Sequence, residues 1–325
     1  MRRREFVTLL GGAATWPLLS HAQATPPIVG FLNPNLPDNY AFNAAAFREG
    51  LKETGYIDGQ NVVIQYSWAG GDYGRLPALA TELAQRKVSV IAATGDIASA
   101  RAAQTATKTI PIVFIVGNDP EKFGLVASHN RPGGNITGIS LITSLLGAKQ
   151  FEVLSELLPS IELFALLMNP DNGNAEIDLK NLQNAAGTAG RRTFVVKAAK
   201  PAEFDAAFAA AVQQKAGGIF IASDPMFLAE RKHLISLAAQ HAIPLICSFR
   251  EFVVGGGLVS YGPSITGVYR EAGVYVGRIL RGAQPSDLPV ILPTKFDLVI
   301  NLKTANTLGV KLPQTLLARA DELID

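Results

Sequence analysis

A short apolar run that stops on Asn-Pro occurs twice in this chain, as Phe31-Leu32-Asn33-Pro34 and as Leu167-Met168-Asn169-Pro170. Proline has no N–H to give a sheet ladder and pushes the residue before it toward extended backbone, so each Asn-Pro marks the carboxyl end of a strand. In open α/β sheets that end is where ligands are held. Each copy is followed by a polar, Asn-containing loop and then a segment with helical periodicity.

The elements after each copy run in the same order. Strands are expected at 28–32, 61–66, 88–92 and 110–115, and again at 163–168, 194–196, 218–221 and 244–246, with helix-like segments between them. Strands alternating with helices of this length mean a parallel sheet covered on both faces. Loops match as well as elements. Thr94-Gly95-Asp96 is matched with Ser223-Asp224-Pro225, and Gly117-Asn118-Asp119-Pro120 with Phe249-Arg250-Glu251. The chain is therefore expected to be α/β, with two similar lobes. Gly- and Pro-rich Arg131 to Gly138 leads into 139–143, expected to cross between lobes, and 255–263 is expected to return. Lobe one is then 26–138 with about 263–288, and lobe two 139–262 with about 289–325. Two or three crossing strands make a hinge.

The first 22 residues are set apart. Arg2-Arg3-Arg4 precede the moderately apolar stretch 6–19, and Ser20-His21-Ala22 is a small-residue cleavage site, as in a signal peptide. Arg3-Arg4-Glu5-Phe6-Val7 resembles a twin-arginine export signal. Removing 1–22 takes three of 29 basic and one of 27 acidic residues, leaving 26 of each. The basic excess belongs to the leader, so nucleic acid is not an expected partner. The lone Cys247 lies far from the leader and cannot anchor a lipid there. A periplasmic monomer free of the membrane is the expectation, with hydrophobic residues at 48% and charged at 17% suiting buried cores.

Catalytic patterns are absent from the sequence. His21, His129, His233 and His241 are scattered, with no H-E-x-x-H or C-x-x-C, so no metal is expected. No G-x-G-x-x-G, Walker loop or G-x-S-x-G follows a strand, so no cofactor and no enzyme activity are expected. What gathers at strand ends is a set of small-molecule binders: Asn33, Thr94, Gly95, Asp96, Asn118, Asp119, Asn169, Asn174, Ser223, Asp224 and Glu251. Hydroxyls and backbone N–H groups suit a carboxylate, and Asp or Glu suit an amino group. Asp96, Ser223 and Asp224 are equally placed to cap helices. Tyr40, Trp68, Phe227, Phe249 and Tyr261 are the nearby aromatics, able to pack a ligand's apolar part or simply the core.

Five segments together resemble the ABC-transporter substrate-binding protein family that includes tryptophan/tyrosine-type binding proteins. They are the leader Arg3 to Ala14, Phe47-Arg48-Glu49-Gly50-Leu51 with Gly55-Tyr56, Ile110-Pro111-Ile112-Val113-Phe114, Arg131 to Gly138, and Asn301-Leu302-Lys303-Thr304-Ala305 with Leu308-Gly309. The resemblance implies the type I periplasmic binding fold, two Rossmann-like lobes around a cleft, and delivery of a small ligand, an amino acid or an aromatic or branched carboxylate, to an ABC permease. Where the family often has Asp-Pro-Val, this chain has Asp119-Pro120-Glu121. A sensor presenting its ligand to a membrane receptor, and an enzyme with an inter-lobe cleft, are the alternatives.

Overall fold

The computed structural model describes residues 25–325, so the expected leader at 1–22 lies outside the described residues. The first half runs β1 (Ile28–Asn33), α1 (Pro37–Glu53), β2 (Val63–Trp68), α2 (Leu76–Gln85), β3 (Val90–Ala93), α3 (Ile97–Ala106), β4 (Ile112–Val116) and β5 (Ile136–Ser140). The second runs α4 (Gly147–Leu157), β6 (Leu163–Met168), α5 (Ala175–Thr188), β7 (Arg192–Lys197), α6 (Phe204–Gln213), β8 (Gly218–Ile221), α7 (Pro225–Ala229), α8 (Arg231–Gln240), β9 (Leu245–Cys247), α9 (Arg250–Val254) and β10 (Val259–Gly262). Then follow α10 (Ile265–Leu280), β11 (Asp297–Asn301), α11 (Leu302–Thr307), α12 (Gln314–Arg319) and β12 (Glu322–Ile324).

Two sheets result among the described residues. The first is wholly parallel in the order β2-β1-β3-β4-β5. The second contains β7-β6-β8-β9-β10, the same order one repeat later, and adds β11 and β12 beyond β10. There β11 runs antiparallel to its neighbour β10. Central strands such as Ile-Val-Phe-Ile-Val of β4 are buried along their whole length, as a sheet covered on both faces requires.

The crossings differ in place from the sequence expectation. Residues 136–140, all five buried, stay paired with β4 through Ser140, so the chain leaves lobe one only after Ser140. Likewise 259–262 pair with β9 and β11 as the fifth strand of lobe two, and the return begins at Pro263. After each fifth strand the chain crosses and gives its next helix to the other lobe. Helix α4 packs on α5 and β10, whereas α10 packs on α1, β3, β4 and β5. A third crossing follows Ile291, which bridges Ile139.

The α10 exchange depends on glycine. A Cβ on Gly50 of α1 would stand 1.8 Å from the Arg270 carbonyl oxygen, and one on Gly273 of α10 would stand 2.1 Å from that of Phe47. At Gly277 it would meet Thr54 Oγ1 at 1.8 Å. These two helices therefore touch backbone to backbone, which accounts for the glycine in Phe47-Arg48-Glu49-Gly50-Leu51. The lobes also meet at the rim, where Asn39 Nδ2 donates to Glu230 Oε1 at 2.7 Å and the Arg231 guanidinium lies 4.7 Å from the Phe42 ring centre.

Candidate functional site

The two Asn-Pro asparagines play the same local part. Asn33 Oδ1 accepts from the Asn35 N–H at 2.9 Å, and Asn169 Oδ1 accepts from the Asp171 N–H at 3.0 Å, closing an Asx turn at the end of β1 and of β6. Their amide groups then reach sideways to the next strand's end. Asn33 Nδ2 donates to Thr94 Oγ1 at 2.9 Å, and Asn169 Nδ2 to Asp224 Oδ2 at 3.1 Å. Both asparagines are buried and lie one layer beneath the cleft surface rather than on it.

Asp96 and Asp224 hold equivalent places in the two lobes. Ladder bonds pair Thr94 N–H with the Leu32 carbonyl and Ala222 N–H with that of Leu167, so Thr94 corresponds to Ala222 and Asp96 to Asp224. The sequence match of Thr94-Gly95-Asp96 to Ser223-Asp224-Pro225 is thus one residue out of register. Each aspartate caps the helix that follows: Asp96 Oδ1 accepts from the Ala98 N–H at 2.7 Å, Asp224 Oδ1 from those of Met226 and Phe227 at 2.8 and 3.2 Å. Capping does not remove them from the cleft, since both also line it. Asp224 Oδ2 receives Asn169, Asn172 Nδ2 at 2.8 Å and, from lobe one, the Tyr73 hydroxyl at 3.4 Å.

The electrostatics are one-sided. Asp96, Asp178 and Asp224 are all buried, and among the described residues no Lys, Arg or His lines the cleft. Burial pushes Asp96 up to about 7, opposed by its Ala98 hydrogen bond and reinforced by the charges of Asp224 and Asp178. Burial likewise raises Asp178 to about 7; Asn118 approaches it without closing a hydrogen bond, and Asp224 adds to the rise. Burial also raises Asp224, against the pull of its amide and backbone donors. Tyr269 is pushed up to about 12 by burial; its hydroxyl donates to that of Tyr40 at 3.2 Å.

Of the residues singled out in the sequence, Tyr40, Gly95, Asp96, Asn118, Asn174, Ser223, Asp224 and Phe249 line the cleft. Gly95 is required as glycine, with φ of +95° and space so tight that an added Cβ would stand 2.9 Å from Pro34 Cδ. Asn33, Thr94 and Asn169 support that wall from behind. The remaining five lie elsewhere. Asp119 caps the Glu121 N–H and faces His129 Nε2 at 3.1 Å outside the cleft. Phe227 is turned into the core of lobe two, its ring 5.8 Å from Phe204. Glu251 sits in the first turn of α9, mostly buried and off the cleft wall. Tyr261 stacks on Phe296 at 6.1 Å, and Trp68, within β2, on Tyr66 at 5.9 Å. Asn172, Asp178 and Tyr269 are site residues that the sequence reading misses. The second of the two asparagines in Asn-Pro-Asp-Asn is the available signal for Asn172; Asp178 and Tyr269 come from helices, where strand-end logic is blind.

The chain matches the model of a family described as ABC transporter substrate binding protein over residues 38–324. The chain belongs to that family. A tyrosine-binding protein of Clostridioides difficile (strain R20291) is 27% identical over 265 residues, 82% of this chain and 76% of its own. Among solved structures, the ABC domain in complex with L-Trp from Streptococcus pneumonia superposes on this substrate-binding protein with a TM-score of 0.82, at 23% identity, over 92% of this chain and 100% of that one. A ligand-free, open substrate-binding protein with adhesive properties from Clostridium difficile gives 0.61, also at 23% identity, over 92% and 99%. The fold of this substrate-binding protein is that of the type I periplasmic binding proteins. Among its described residues no helix is long and apolar enough to cross a membrane, and no cluster of His, Cys, Asp and Glu is able to hold a metal.

Proposed function

We propose that this substrate-binding protein serves an ABC importer as its exported receptor, closing by hinge motion on an amino acid with an aromatic or branched side chain and presenting it to the permease. The observation that carries this reading is the set of three buried carboxyl groups around a cleft that has no basic side chain among the described residues. A ligand ammonium supplies the missing positive charge and forms charge-assisted hydrogen bonds in a low-dielectric site. Ile115, Leu141, Leu228, Ile265, Phe249 and the two tyrosines give apolar walls for a side chain. Gly95 and the Ser223 hydroxyl face the same space and suit the ligand carboxylate.

Hinge closure has two supports. The cavity between the lobes has a volume of about 20 Å³, enough for one water and too little for an amino acid, so entry requires the lobes to part. At equal identity and coverage, resemblance is greater to the L-Trp complex than to the open, ligand-free structure. The moving bodies we assign are 25–140 with 263–291, and 141–262 with 292–325, joined by the three crossings.

A thermal-shift panel of amino acids, deaminated aromatic acids, sugars and purines tests the ligand class. Ligand at 100 times its Kd stabilises by about 2.7 kcal/mol, a readable rise in melting temperature. We expect the rise from an aromatic or branched amino acid. A rise from sugars or purines alone refutes the reading.

A further inference from the structure

One end of the cleft holds three polar side chains that the described residues leave unsatisfied. Asn118 arrives from lobe one, and neither its Oδ1 nor its Nδ2 has a hydrogen-bond partner there. From lobe two come Asn174 and Asp178, four residues apart at the start of α5, each with an unpaired Oδ1. Their exposures are 2%, 4% and 7%, so solvent does not answer for the missing partners. Asn118 and Asn174 line the cleft, and Asp178 lines a neighbouring recess that shares Ser223 with it. Gln150, in the same recess, spends its amide on Ser248 Oγ and the Tyr261 carbonyl, both at 3.0 Å, and so offers Asp178 no donor, while Asn118 approaches Asp178 without closing a hydrogen bond.

An acid in the first turn of a helix is favoured by the helix dipole, and that alone is a sufficient reason for an aspartate near the start of α5. It is not a reason for burying one with an acceptor oxygen empty. With the Asn118 amide, the one donor in this set, turned to Asp178, the Oδ1 atoms of Asn118 and Asn174 still have no donor, which calls for a partner that donates. Asp224, by contrast, has both oxygens occupied by protein donors. The two ends of the cleft therefore make different demands.

We infer that Asn118, Asn174 and Asp178 form a subsite for the far end of the ligand side chain, one that terminates in a hydrogen-bond donor such as a hydroxyl or an ammonium, with Asp178 setting the preference. The inference rests on the amino-acid reading above and narrows it from side chains of suitable shape to side chains with a donating tip. A site built to hydrogen-bond a donor discriminates strongly against the analogue lacking it, because the buried acceptors are then stranded.

Calorimetric titration of two matched pairs, L-tyrosine with L-phenylalanine and L-lysine with L-norleucine, tests it on the wild-type protein and on Asp178→Asn. We expect the donor-bearing member of one pair to bind the wild type about tenfold or more tightly than its counterpart. In Asp178→Asn that preference is expected to collapse, the donor-bearing member losing at least about tenfold more affinity than its donor-free counterpart. The variant is isosteric and removes an unpaired buried acid, so its unliganded melting temperature is expected to hold or rise, which separates loss of recognition from loss of fold. Asn118→Ala is expected to weaken the same preference from the other lobe. Equal binding within both pairs, or an equal loss for both members in Asp178→Asn, overturns the subsite and leaves the amino-acid reading standing. Binding of none of the four overturns the subsite, and the thermal-shift panel of amino acids then decides the amino-acid reading separately.

Discussion

Asp96 performs two tasks with one carboxyl group, and they respond differently to substitution. Its Oδ1 caps α3, a job that asparagine does equally well. Its charge, buried beside Asp178 and Asp224, opposes folding and, in the function proposed above, serves ligand binding. In the unfolded chain Asp96 has the ordinary aspartate value of 3.8, and in the folded chain about 7. Between those values the folded state holds a proton that the unfolded state has lost, so stability falls as pH rises, by up to about 1.4 kcal/mol per pH unit, and levels off above 7. Asp178 contributes in the same direction. We expect Asp96→Asn to flatten part of this slope in urea titrations at pH 5 and pH 8, being more stable than wild type at pH 8, while binding ligand more weakly. A variant less stable than wild type at pH 8 contradicts this account of Asp96. The strand-end residues of the cleft were legible in the sequence because strand ends are marked by turn chemistry. Asp119 and Phe227 were marked in the same way and face elsewhere, since a loop's place in the chain does not fix the direction of its side chains.

The elements show how the repeat was built and where its pattern misleads. Five strands in the order 2-1-3-4-5 recur as 7-6-8-9-10, and the Asn-Pro signals at Asn33 and Asn169 stand at the ends of equivalent strands, β1 and β6. Less legible was that residues 136–140 and 259–262 are fifth strands rather than connectors, because glycine-rich flanks made both read as linkers. The expected place of 263–288 in lobe one rests on the Gly-rich crossing before it, since hydrophobic periodicity does not show which lobe α10 joins. Packing shows it, through the contact of Gly50, Gly273 and Gly277 at the α1–α10 crossing. Gly273→Ala forces the helices apart and is expected to destabilise by about 3 kcal/mol or more, judged from overpacked cores. Gly187→Ala in α5, where a Cβ meets nothing within 4 Å, is expected to stabilise by about 0.5–1 kcal/mol. Denaturant midpoints compare them, and a Gly273→Ala protein as stable as wild type disproves backbone-to-backbone packing at this crossing.

At the scale of the whole molecule, the two lobes bring together what neither holds alone. Lobe one supplies Asp96, Asn118, Tyr40 and Tyr269; lobe two supplies Asp224, Asn172, Asn174 and Asp178. Tyr73 of lobe one donates to Asp224 of lobe two, and Asn39 to Glu230, so the two lobes have direct links of their own across the cleft. Such isolated polar links contribute little, so in the proposed function the ligand is the main bridge. The central claim is that the positive charge lacking among the described cleft residues arrives on the ligand as an ammonium group. Calorimetric titration of an amino acid that binds against its deaminated counterpart, identical except for that ammonium, tests it most directly. The account predicts that the amino acid binds and that the deaminated acid binds at least about a hundredfold more weakly. Equal or tighter binding of the deaminated acid contradicts it.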